Sequence, residues 1–185
     1  NITVKELKNI WQPSSQAKVL KWSQVKSAWP EQTMDLFGAG ADSGTFDYFT
    51  EAIVGKAKSS RGDYTASEDD NTSVTGVARN THAIGYMPLA YAKENLDKLK
   101  ILKINGVEPS EETVRKGTYT PLSRPVFIYV KKSSLAKEEV KKFAHFFVEG
   151  AFNFVPEVGY VSLPKNAYST VKEHLVKEKT GSVFK

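Results

Sequence analysis

The run Phe37-Gly38-Ala39-Gly40-Ala41-Asp42 leads straight into Ser43-Gly44-Thr45-Phe46, and the chemistry this offers is anion binding. The pattern predicts a short strand ending in small residues, then a helix that begins at Ser43-Gly44-Thr45. The first amides of a helix have no intrahelical acceptor, and the macrodipole puts partial positive charge there. Gly44 lets a ligand approach the backbone, while Ser43 and Thr45 add hydroxyl donors. Together they form a candidate oxyanion cradle. The simpler reading is that Ser43 or Asp42 only caps the helix. The GxxxxGK[ST] nucleotide loop is absent, the glycines at 38, 40 and 44 do not fit GxGxxG, and Ala41 and Thr45 break GxSxG.

A second element is Ser59-Ser60-Arg61-Gly62-Asp63-Tyr64. A guanidinium is a planar fork suited to a tetrahedral anion, and Asp63 is spaced to hold that fork from behind. The alternative is a solvated loop arginine. An adhesion role for Arg-Gly-Asp has no other support in the chain. Ser67-Glu68-Asp69-Asp70-Asn71 lacks the alternating ligands and distant Glu of a calcium loop, and reads as an acidic turn capping a helix. His82, His145 and His174 lie far apart, so no metal site is predicted.

The elements that must position these groups follow from periodicity. Val4, Leu7, Ile10 and Trp11 form a helical stripe, with Thr3 and Glu6 spaced as a capping box and Pro13 as the stop. Trp22, Val25 and Trp29 line a helical turn before Pro30. Residues 35–38 read as a strand, 45–54 as a helix and 55–73 as a long polar surface loop. A helix starts near Val74, a buried strand covers 83–87, a helix 89–99 and a short strand 100–104. Pro125 to Val130 is the strongest strand pattern in the chain, and helices follow at 137–149 and 165–177. Alternating strands and helices predict an α/β architecture with a mixed sheet. Ser123-Arg124-Pro125 is the best candidate for a crossing between domains.

Composition narrows the function. The chain has 185 residues, 40% hydrophobic and 25% charged, enough for one medium domain or two small ones with a packed core. No apolar run approaches the roughly 20 residues of a membrane-spanning helix. With no cysteine, disulfides, thiolate metal sites and thiol nucleophiles are excluded. The net charge of +5 suits an anionic partner, but the basic residues are dispersed beside acids, which argues against nucleic acid. No metal cluster, activated nucleophile or acid/base pair points to an enzyme, and no cofactor is predicted.

Several segments, in order, carry a resemblance to a known family. They are ITVKELKNIW at 2–11, LFGAGADSGTFDYFTEAI at 36–53, SRGDYTASEDDN at 60–71, AIGYMPLAYAKENLDKLK at 83–100, LSRPVFIYV at 122–130 and GYVSLPKNAY at 159–168. The chain resembles the periplasmic phosphate-binding protein of ABC-type phosphate uptake. That resemblance implies a two-lobe type II periplasmic-binding-protein fold, closing over one inorganic phosphate for delivery to a membrane ABC permease. It implies a periplasmic or extracytoplasmic location and no enzymatic activity. The alternative role is a phosphate sensor or regulatory homologue without transport. Ser43, Gly44 and Thr45 match the family's phosphate cradle. The arginine that stands just ahead of Ser-Gly-Thr in the enterobacterial pattern is replaced by Gly38 to Ala41, so Arg61, backed by Asp63, is the candidate guanidinium. Residues 1–122 are expected to form the second lobe and 123–185 the returning part of the first. The remainder of the first lobe is expected from a missing N-terminal segment or a second chain.

Overall fold

Thr3 begins the first helix as its spacing predicts. Its hydroxyl accepts from the Glu6 amide at 3.1 Å, and the Glu6 carboxylate accepts from the Thr3 amide at 2.7 Å. Two orphan donors of helix α1 (Val4–Trp11) are thereby satisfied. The computed structural model describes residues 1–182. Helix α1 buries Leu7, Ile10 and Trp11. Trp11 is fully enclosed and meets Phe49, Tyr64 and Tyr86 edge-on at 4.9–5.7 Å. Such aromatic pairs favour edge contacts because ring faces are negative and ring edges positive.

Three parallel strands form the sheet, in the order β2-β1-β3. Strand β1 (Asp35–Ala39) is central, flanked by β2 (Thr65–Ser67) and β3 (Ala83–Gly85). Phe37 stands opposite Thr65 on one side and Gly85 on the other. Parallel neighbours need crossovers, and helices supply them. Between β1 and β2 lie α3 (Gly44–Phe49) and a π-helical turn (Thr50–Val54), while α4 (Asp70–Arg79) joins β2 to β3. Short helices α2 (Trp22–Val25), α5 (Leu89–Lys93) and α6 (Glu111–Arg115) complete residues 1–122. Gly38 is required on β1, because a Cβ there would stand 2.5 Å from the Tyr86 ring.

Several expectations need correction. The polar stretch 55–73 is not one long loop, since it holds edge strand β2 and the start of α4. The helix expected over 89–99 ends at Lys93. Residues 100–104 form no strand; Ile104 makes only isolated bridges to Ile2 and Val107. The sheet is all parallel rather than mixed among the described residues. The strongest strand pattern, Pro125 to Val130, is unpaired extended chain with Tyr129 92% exposed.

After that segment come α7 (Glu138–Glu157) and α8 (Lys165–Val176), packed together. Lys172 reaches Glu149 across them at 2.6 Å. Helix α7 buries Ala144, Val148 and Ala151 but leaves Phe143 and Phe146 largely in solvent. The last three residues assigned to this part, 183–185, lie outside the described residues. Among those described, no helix is long and apolar enough to cross a membrane.

Candidate functional site

The cradle sits where β1 hands over to α3. Ser43 has extended backbone and is the N-cap, its Oγ accepting from the Thr45 amide at 3.1 Å. The Ser43 carbonyl accepts from Asp47, closing the first turn. The amides of Gly44 and Phe46 are then left without a protein acceptor among the described residues. Both readings of Ser43 therefore hold at once: it caps the helix and leaves neighbouring amides open. Ser43, Gly44 and Thr45 are all at least partly accessible. Just ahead of them the Glu68 carboxylate accepts from the Asp42 amide at 3.2 Å.

The Arg61 guanidinium has other partners. It is 2% exposed, the opposite of a solvated loop arginine. Its Nη1 donates to the carbonyls of Ile10 at 3.0 Å and Val19 at 2.9 Å. Its Nε and Nη2 donate to the two oxygens of Asp63, at 2.5 and 2.8 Å. Asp63 also accepts from the Ala17 amide. The Arg61 guanidinium, with burial opposing it, holds the Asp63 carboxyl well below the usual carboxylate range. The fork that Asp63 was expected to steady is present, but it stitches the end of α1 to the chain at 17–19. No hydrogen bond or ion pair joins Arg61 to Ser43, Gly44 or Thr45 among the described residues. Its contacts do not meet the expectation that it reaches the anion. The adhesion-like tripeptide is likewise masked, since its arginine is buried.

The acidic run caps α4: the Asp69 side chain accepts from the Asn71 amide at 3.0 Å. Asp70 beside it has a raised pKa, from burial first and then from Asp69 and Glu68.

Sequence reasoning missed a pair on the face of α3. Tyr48 lies one turn beyond Gly44, and its hydroxyl meets the carbonyls of Pro121 and Ser123, the latter at 2.8 Å. Burial pushes the Tyr48 phenol up, and the Arg124 charge partly offsets this. Arg124 lies over the Tyr48 ring at 5.0 Å and donates from Nη2 to the Gly44 carbonyl at 3.2 Å. The segment 121–124 is thus fastened to the helix that carries the cradle. The available sequence signal was the i, i+4 spacing of Gly44 and Tyr48 together with an arginine at the crossing.

Residues 1–150 match the PBP superfamily domain, and the chain belongs to that family. It is 44% identical to Protein SphX of Synechococcus elongatus over its whole length, covering 56% of that protein. It is 35% identical to Phosphate-binding protein PstS of Staphylococcus epidermidis, over 94% of this chain and 53% of that one. The crystal structure of a possible phosphate binding protein from Planctomyces limnophilus superposes with a TM-score of 0.82 at 47% identity, covering 96% of this chain and 64% of that one. The chain thus spans about half the length of the curated relatives it matches.

Proposed function

We propose that this chain is the larger part of a two-lobe receptor that captures inorganic phosphate and passes it to a membrane ABC permease outside the cytoplasm. The observation that carries this reading is the pair of open amides at Gly44 and Phe46, flanked by the Ser43 and Thr45 hydroxyls. Donors without acceptors at the positive end of a helix suit a small oxyanion. The likeness to PstS and to the Planctomyces limnophilus protein, whose names speak of phosphate binding, supports phosphate as that anion. The role is binding rather than turnover.

In this reading residues 1–122 are the second lobe and 123–185 return to the first. The rest of the first lobe comes from chain beyond these residues. The bare apolar segment Pro125 to Val130 supports this, since a strand-like sequence with unpaired backbone and exposed side chains lacks the neighbours that would cover it. Arg61 and Asp63 fix the loop that follows α1.

Energetics set the test. Charge-assisted hydrogen bonds contribute roughly 1.5–3 kcal/mol each, and micromolar affinity requires about 8 kcal/mol after ordering costs. The cradle alone falls short. Calorimetric titration with phosphate, and sulfate as control, should give weak or no heat for this chain and tight phosphate binding for the longer chain with both lobes. Absence of binding by the folded longer chain would refute phosphate capture.

A further inference from the structure

Arg124 and Arg61 are opposites as charges. Arg61 spends its fork on Asp63 and two carbonyls and is sealed from solvent. Arg124 is exposed, has no carboxylate partner among the described residues, and makes one hydrogen bond, to the Gly44 carbonyl. Its position sets a cation beside the positive end of a helix. A helix N-terminus carries partial positive charge, and a cation placed beside it is repelled rather than attracted. Yet Arg124 is held there, by the face of Tyr48 and by the Gly44 carbonyl, close enough that a Cβ on Gly44 would stand 3.1 Å from Nη2. Tyr48 is itself fixed by the carbonyls of Pro121 and Ser123. The helical run from Gly44 continues through the π-turn to Val54, so this end is the start of a sustained helix.

A guanidinium without a carboxylate partner, brought to a helix N-terminus whose Gly44 and Phe46 amides are open, forms an arrangement that an oxyanion completes. We propose that Arg124 supplies the guanidinium to the oxyanion held at Ser43, Gly44 and Thr45. One Nη2 hydrogen stays on the Gly44 carbonyl, leaving the outer N–H groups of the planar fork for the anion. The assignment rests on the reading of these residues as a phosphate cradle. It also gives the crossing a part in binding: the residue that ties it to α3 is also a ligand, so occupancy of the cradle and the setting of the crossing are linked.

The test uses the full two-lobe chain and inorganic phosphate. Arg124→Ala should weaken binding by about 10- to 100-fold, the loss of one or two charge-assisted hydrogen bonds. Arg124→Lys, which keeps the charge but not the fork, should fall between wild type and alanine. The ligand-free melting temperature should fall only slightly in both, by the exposed hydrogen bond and ring contact they weaken, and the affinity of Arg124→Ala should depend less on salt than that of wild type. A variant that binds within about twofold of wild type, while Thr45→Ala is weakened, would overturn the role of Arg124 and leave the cradle standing. A large fall in ligand-free melting temperature with unaltered salt dependence would make Arg124 a structural clamp and also overturn the proposal. Failure of the folded wild type to bind phosphate would remove the cradle reading and this assignment together.

Discussion

Trp11, Phe49 and Tyr86 close on one another in residues 1–122, with Phe49 stacked on Tyr86 at 3.8 Å and Trp11 sealed. In residues 123–182 the aromatic supply is as rich, but Phe127, Tyr129, Phe143, Phe146 and Phe154 face solvent. Helix α7 meets α8 through one edge-on ring pair, Phe152 with Tyr168, a cation over the Phe152 ring and one cross-helix ion pair. The difference lies in partners rather than composition. The first region has a sheet with helices packed on it. The second has two helices and an extended segment without neighbours, so the same hydrophobic side chains gain little from folding.

The sharpest way to break this comparison is at Arg61. Arg61→Ala leaves the Ile10 and Val19 carbonyls without their donor and Asp63 without its cation, and should cost about 3–5 kcal/mol in denaturant unfolding. A loss below 1 kcal/mol would show that the first region does not depend on its buried pair. The pair also predicts a pH dependence. The Asp63 carboxyl is depressed in the fold, so its contribution is present above its unfolded value of 3.8 and is lost as pH falls further. Asp63→Asn should lower stability at neutral pH and flatten the acid limb of a stability–pH curve. A limb as steep as wild type would locate acid sensitivity elsewhere.

A smaller effect belongs to the cap of α1. Thr3→Ala removes the acceptor for the Glu6 amide and should destabilise by about 1 kcal/mol, measured as a shift in the denaturant midpoint. The smallest effect is expected in the second region. Phe146→Ser should change the stability of this chain by no more than about 0.5 kcal/mol, because it removes an exposed ring. In the longer chain the same substitution should cost several times as much if the first lobe covers that face. Equal effects in the two chains would leave the face uncovered in both.

How much was legible in the sequence follows the range of each interaction. The capping box of α1, strand β1 and the start of α3 depend on residues within a turn of one another, and they stand where spacing put them. The Asp69 cap is equally local. Strand β2 was hidden because its three residues lie at a sheet edge, polar and mostly exposed, with no apolar alternation to reveal them. The burial of Arg61 was hidden because it depends on carbonyls of Ile10 and Val19, more than forty positions away. Pro125 to Val130 has the composition of a strand, but a strand also needs a neighbour, and pairing is not a local property. The link from Tyr48 to Pro121 and Ser123 was invisible for the same reason.

That bare extended segment has a consequence for the molecule in bulk. Free backbone donors and acceptors beside Val126, Phe127 and Ile128 form a template that any other strand can join, including the same segment of a second molecule. The sequence frames it with Arg124 and Pro125 on one side and Lys131 and Lys132 on the other. Three cations repel an approaching copy, and a residue without an amide proton interrupts the ladder at its first rung. The flanks therefore act as gatekeepers, holding a sticky stretch in reserve for its own fold rather than for a growing fibril.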